Sequence, residues 1–350
     1  MTVGWGIVST GRHPDIKVVP AIKQVKNAKV IAACSRDMKR AEAFAAKHNI
    51  ARAYGSIEAL VNDPEIDAVF ISSPNALHAQ HTIKAAAAGK HVLVEKPMAT
   101  TLDEALDMIR VSQENGIKLG IGFHLRHHPG HRSARELIQK GVLGTISMIQ
   151  GQWCFGERTM TYPPLRTGSS SWWNDPEMMG GASTLMGTGT HVIDLLYYLT
   201  GEQIVEVAAI TDGQTEERPL EQVAAVSVRF KNGIIGTICA GRRMPDSEND
   251  VMIYGSHGRI ALRGTLWETL SGKLEVISET ENFTESYKKD PLALYKNEIE
   301  AFDRAIAAGE NFEACGEDGL HSVKVILSII ASAATGAKVF VNDTQRDGSS

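Results

Sequence analysis

From residue 3 to about 122, short apolar runs alternate with segments whose apolar residues recur at helical spacing. Val3 to Val8, Val30 to Cys34, Ala68 to Ser72, His91 to Val94 and Lys118 to Gly122 read as strands. Between them, Lys39 to Asn49 and Leu77 to Gly89 read as amphipathic helices. Thr101-Leu102-Asp103-Glu104 has the form of a capping box, in which threonine and glutamate side chains each bond the other's free backbone N–H, and it opens a helix to about Asn115. Strand–helix–strand crossovers are right-handed, so this half predicts one doubly wound parallel sheet covered by helices on both faces.

After about residue 122 the runs lengthen and are joined by Gly-rich turns. Ile146 to Trp153, Val223 to Phe230, Ile234 to Cys239, Asp250 to Tyr254 and Arg259 to Leu262 read as strands. Lys231-Asn232-Gly233 and Ser256-His257-Gly258 sit between them as hairpin turns, which favours a large, mostly antiparallel sheet. The amphipathic segment Pro291 to Ala308 and the small-residue helix Asp318 to Ala334 close the chain. The expected division is a first α/β domain over 1–122 and a second over 123–350, with a polar tail over 344–350.

The chain has 350 residues, ample for two cores, with 43% hydrophobic and 22% charged residues and a net charge of −5. That balance gives no general attraction to nucleic acid or to anionic membrane, and no long basic patch changes it. Cys34, Cys154, Cys239 and Cys315 are scattered, without CxxC or zinc-type spacing, as reduced thiols would be. No stretch approaches about 18 uninterrupted apolar residues and the start lacks a leader pattern, so the expected location is cytoplasmic.

Glu95-Lys96-Pro97 directly follows the apolar run Val92-Leu93-Val94, which delivers a lysine to the strand ends where open α/β sheets bind ligands. Proline stops the strand and fixes the local φ, so the ammonium is presented at a repeatable place. A surface lysine in an ordinary turn is the alternative. After the first strand comes Ser9-Thr10-Gly11-Arg12, a turn retaining only the middle glycine of a dinucleotide-binding G-x-G-x-x-G. The second strand ends Ser35-Arg36, where an NAD-selective site places a carboxylate on the ribose hydroxyl. A hydroxyl and a guanidinium, with Arg40 one turn on, suit a 2′-phosphate instead, so NADP(H) is expected and NAD(H) remains open.

With Ser73-Pro74-Asn75 and His78 added to Glu95-Lys96-Pro97 and the Gly6 to Gly11 turn, the chain resembles the Gfo/Idh/MocA oxidoreductases over about residues 3 to 340. The resemblance implies a Rossmann domain followed by an α/β domain whose sheet supports the substrate pocket and often an oligomer interface, here a homodimer or homotetramer. It also implies hydride transfer between a nicotinamide and a carbon of a sugar, anhydrosugar or cyclitol. Ser9 to Arg12, Ser73, Pro74, Asn75, His78, Glu95 and Lys96 would then face the cofactor.

In Gly187-Thr188-Gly189-Thr190-His191-Val192-Ile193-Asp194 the resemblance makes His191 the proton carrier beside Lys96. Gly187 stands where the family has an acidic residue, so Asp194, one helical turn on, is the expected substitute partner. His124 and Arg126 resemble a pocket-rim segment, normally with asparagine at the place of His124. Tyr162 and the Trp172-Trp173 pair are expected on the substrate side, where an indole can cover the C–H face of a sugar. His124, His127, His128 and His131 fit no standard metal-ligand pattern, so no metal is expected. Two further readings stay open, a glycosidase using transient oxidation by bound nicotinamide and a nucleotide-binding sensor without catalysis.

Overall fold

The computed structural model describes residues 2–160 and 162–341, so the polar tail lies outside the described residues. Six parallel strands form the first sheet: β1 (Val3–Val8), β2 (Ala28–Cys34), β3 (Arg52–Tyr54), β4 (Ala68–Ile71), β5 (His91–Val94) and β6 (Leu119–Ile121). Their order, β3-β2-β1-β4-β5-β6, is that of a doubly wound fold, and it reverses between β1 and β4. Loops leaving those two strand ends must diverge, which opens a crevice there. The capping box is present, with Thr101 Oγ1 accepting from the backbone of Glu104 and the Glu104 carboxylate accepting from that of Thr101. The short strand β3 escaped the sequence reading because its three residues are all half-exposed and show no apolar run.

The second sheet has nine strands: β7 (Ile146–Cys154), β8 (Ile204–Asp212), β9 (Val223–Phe230), β10 (Ile235–Gly241), β11 (Val251–Gly255), β12 (Gly258–Arg263), β13 (Lys273–Ser278), β14 (Asn282–Ser286) and β15 (Val339–Phe340). Its order is β14-β13-β12-β11-β7-β10-β9-β8-β15, antiparallel except where β7 pairs with β10. One face packs on the helices Thr190–Thr200 and Gly316–Thr335.

The segment 302–314 returns to the first sheet before the chain goes back to the second. Phe302, Phe312 and Ala314 join the core of the first sheet, Trp5 Nε1 donates to Asp303 at 3.1 Å, and Ile121 N donates to Ala314 O at 2.8 Å. Gly120 on β6 makes room for this: a Cβ there would lie 2.7 Å from Phe312 and 2.8 Å from Phe302. The two cores are therefore locked together by the helix Ala293–Ala308 and the strand-like segment after it.

Candidate active site

The loops at the crevice and the inner edge of the second sheet enclose a cleft of about 1170 Å³. At its inner end the turn after β1 holds Ser9 at φ 98°, a conformation that favours glycine, and it is the place where the usual motif has one. Thr10, Gly11 and Arg12 line the cleft beside it, and Thr10 Oγ1 is buried without a hydrogen-bond partner. Ser35, Arg36 and Arg40 line its far side; Arg36 and Arg40 are exposed and have no ion pair among the described residues. Ser73, Pro74, Asn75 and His78 also face it. An unpartnered hydroxyl, free guanidiniums and a turn held open at positive φ fit the phosphates and riboses of a dinucleotide.

Two of these residues act on the protein rather than reaching outward. His78 lies 2.8 Å from both Pro97 O and Ser73 O, tying the loops after β4 and β5 together, while Asn75 Nδ2 donates to Met179 O at 3.2 Å. Burial lowers the His78 pKa, so it is neutral and one of the two carbonyls takes its single N–H.

At the chemical end, Lys96 crosses from β5 to the segment Leu185–Gly189, where its Nζ donates to Gly187 O at 3.2 Å. His191 opens the next helix, at its second residue. Its ring is boxed by Trp153 at 5.0 Å and His124 at 4.6 Å, and Nδ1 is buried without a partner. Burial, then the Lys96 ammonium and the neighbouring His124 and His13, push its pKa well below the ordinary imidazole value. His124 is pushed down to about 3, by burial first and against the pull of Glu95. Burial would raise Glu95, but His13, whose Nε2 lies 2.8 Å away, and then Lys96 and His124 hold it at about 2. The site thus presents a lysine and neutral imidazoles around one space, with Trp172 and Trp173 on its wall, their rings 4.9 Å apart.

Three expected site residues lie elsewhere. Asp194 turns its carboxylate to Arg126, with contacts of 2.5 and 2.9 Å, and makes none to His191. Arg126 is itself buried between Asp194 and Asp318, so it is a core cation, not a rim residue. Tyr162 stacks under Arg243 and Arg218 outside the cleft. The other histidines of the 124–131 segment are packing groups: His128 bonds Ser271 O and Gly130 N, and His131 bonds Leu125 O and Thr265. Among the described residues no group of three or more His, Cys, Asp or Glu is arranged to hold a metal.

Sequence reading missed His13, Trp153, Trp267 and Tyr295, which line the cleft, and Glu221, which sets the segment before Gly187 in place. Glu221 accepts from Ser183 N at 2.7 Å, Leu185 N at 2.8 Å and Thr184 Oγ1 at 3.0 Å, and so fixes the start of the turn carrying Gly187. His13 sits on the turn after β1 without matching any motif position, and the other four are brought in by long-range packing.

A doubly wound crevice closed by a mostly antiparallel sheet, with Lys96 and His191 lining one cleft between them, is the architecture of a nicotinamide-dependent oxidoreductase. The sequence model of the oxidoreductase family with an NAD-binding Rossmann fold, Gfo/Idh/MocA, matches residues 3–123, and that of its C-terminal domain matches 131–261. The chain belongs to the Gfo/Idh/MocA family. It is 29% identical over 334 residues to the 1,5-anhydro-D-fructose reductase of Ensifer adhaerens, covering 95% of this chain and 96% of the relative. It is likewise 29% identical over 337 residues to D-xylose 1-dehydrogenase (NADP(+)) 2 of Haloferax volcanii, covering 96% and 98%. The fold matches aldose-aldose oxidoreductase from Caulobacter crescentus, solved with glycerol, at a TM-score of 0.86, with 22% identity over 97% of this chain and 100% of the other.

Proposed function

We propose that the protein is an NADP(H)-dependent reductase or dehydrogenase of a sugar, anhydrosugar or cyclitol. The observation that carries this reading is the meeting of Lys96 and His191 in one cleft, with His191 Nδ1 buried and unpartnered. Bound there, the nicotinamide supplies or accepts the hydride. When a carbonyl is reduced, negative charge builds on its oxygen, the Lys96 ammonium stabilises that charge, and a proton delivered through His191 completes the hydroxyl. When an alcohol is oxidised, the neutral imidazole of His191 takes the hydroxyl proton. Trp172 and Trp173 offer indole faces to the ring C–H groups.

Ser35, Arg36 and Arg40 support NADP(H) over NAD(H), as does the NADP(+) of the Haloferax relative's name. The open face of the second sheet supports a homodimer or homotetramer: Ile235, Tyr254 and Ile277 stand in one register row across it, all exposed. The free thiols support a cytoplasmic setting. A panel of keto-sugars and polyols, followed at the nicotinamide absorbance, tests the reaction. Stoichiometric consumption of NADPH or NADP⁺ supports it, while product formed with nicotinamide unchanged would place the chemistry with a glycosidase.

A further inference from the structure

The cleft is charged unevenly on its substrate side. Arg166 and Arg242 both line it there, and neither has an ion pair among the described residues. The Arg166 guanidinium lies 4.2 Å from the centre of the Trp173 ring. Arg242 reaches Ser183 Oγ at 3.3 Å, and its Nε is buried with no hydrogen-bond partner. Burial lowers the pKa of both, and each feels further cations: Arg166 feels Arg242 and Arg12, and Arg242 feels Arg218.

The acids nearby act on this side at a distance and pair with neither guanidinium among the described residues. Glu221 faces Arg242, but its oxygens already accept from Ser183, Thr184 and Leu185. Asp175 spends Oδ1 on the backbone of Glu177 and Met178, which leaves Glu268 as the carboxylate acting on Arg166. Opposite them, Lys96 meets a carbonyl at Gly187, not a side chain. A Cβ there would touch only the Trp173 ring, at 3.6 Å, and φ is not positive, so neither packing nor backbone demands glycine. The position has room for a side chain and presents none to the ammonium.

Partly desolvated like charges repel one another until an anion joins them, and a guanidinium offers the paired donors that fit a carboxylate or phosphate. We propose that the substrate is an anionic carbohydrate, whose carboxylate or phosphate is bound by Arg166 and Arg242 while Lys96 and His191 act on another carbon of the same molecule. This assignment rests on the hydride-transfer reading of the site. Arg12, on the turn after β1, stays with Arg36 and Arg40 on the cofactor side of the cleft.

The test is calorimetric binding to the NADPH-loaded protein of several hexoses, each beside its uronate and its 6-phosphate. One charged series is expected to bind at least about tenfold tighter than the neutral parents, and whether uronates or phosphates lead identifies the anion. The preference should shrink at high salt in the unmodified protein and vanish in Arg166→Gln and Arg242→Gln, with NADPH affinity unchanged. Equal binding of charged and neutral sugars overturns the proposal. So does weakened NADPH binding in the variants, since the arginines would then serve the cofactor phosphates. A clear anionic preference without any nicotinamide turnover would keep this assignment and defeat the hydride-transfer reading.

Discussion

Arg36 stands at the end of β2 with its guanidinium exposed and unpaired, so its removal should reveal which cofactor it serves. Arg36→Ala is expected to weaken NADPH by about 10- to 100-fold, the worth of a charged hydrogen bond of about 1.5–3 kcal/mol, and to leave NADH little changed. Titration of nicotinamide fluorescence measures both, and an equal loss for the two cofactors would contradict the assignment. At this scale, residues that belong to chain-local motifs were legible. Ser9 to Arg12, Ser35, Arg36, Lys96 and His191 all line the cleft. Asp194 was misread because spacing of one helical turn says which residues neighbour each other, not which way a carboxylate turns when a buried guanidinium competes for it.

The helix Thr190–Thr200 illustrates this at the scale of elements. It presents His191 to the cleft and, a turn later, Asp194 to Arg126, so one element lines the site at its start and ties the core along its length. Burial works against the charge on Arg126, and Asp194 and Asp318 more than offset it, keeping the guanidinium protonated. Asp194→Ala leaves that buried cation with less compensation and should cost about 3–5 kcal/mol of stability. Thermal denaturation checks this, and Asp194→Asn should likewise lower Tm without altering the pH profile of kcat. A variant with unchanged Tm and depressed kcat would return Asp194 to the proton path. The strands and hairpins of the second sheet were legible where apolar residues alternated, as in Val223–Phe230. The all-exposed β14 gave no such signal, and only its ladder with β13 makes it a strand.

For the whole molecule, the density of buried imidazoles sets the response to acid. His78, His124, His127, His128, His131 and His191 are buried, and burial pushes each below the ordinary 6.5, to about 3 for His124 and about 4 for His128. As pH falls below 6.5 the unfolded chain takes up protons at these histidines that the folded protein does not, so their contribution declines towards pH 4, while Asp303 and Asp194, raised by burial to about 7 and about 6, and Glu298, raised further, contribute in the opposite sense. Each histidine contributes up to about 1.4 kcal/mol per pH unit. Glu95 adds to the loss lower down, between its ordinary 4.5 and about 2. Scanning calorimetry should show Tm falling from about pH 6.5 to 4, because the buried histidines outnumber those carboxylates, and a Tm that rose on acidification would show that the carboxylates dominate instead. The return of the segment 302–314 into the first core was not legible either, since nothing local in the apolar face of Ala293–Ala308 says which sheet it will cover.

The central claim, that Lys96 and His191 act together on the oxygen of the reacting carbon, is tested most directly by single-turnover kinetics of the NADPH-loaded Lys96→Met and His191→Ala proteins. Each should lose about 10²–10⁴-fold in the hydride-transfer rate, the typical worth of a positioned proton carrier or oxyanion donor, while still binding NADPH as tightly as the unmodified protein. A variant that binds the cofactor and turns over at the full rate would contradict it.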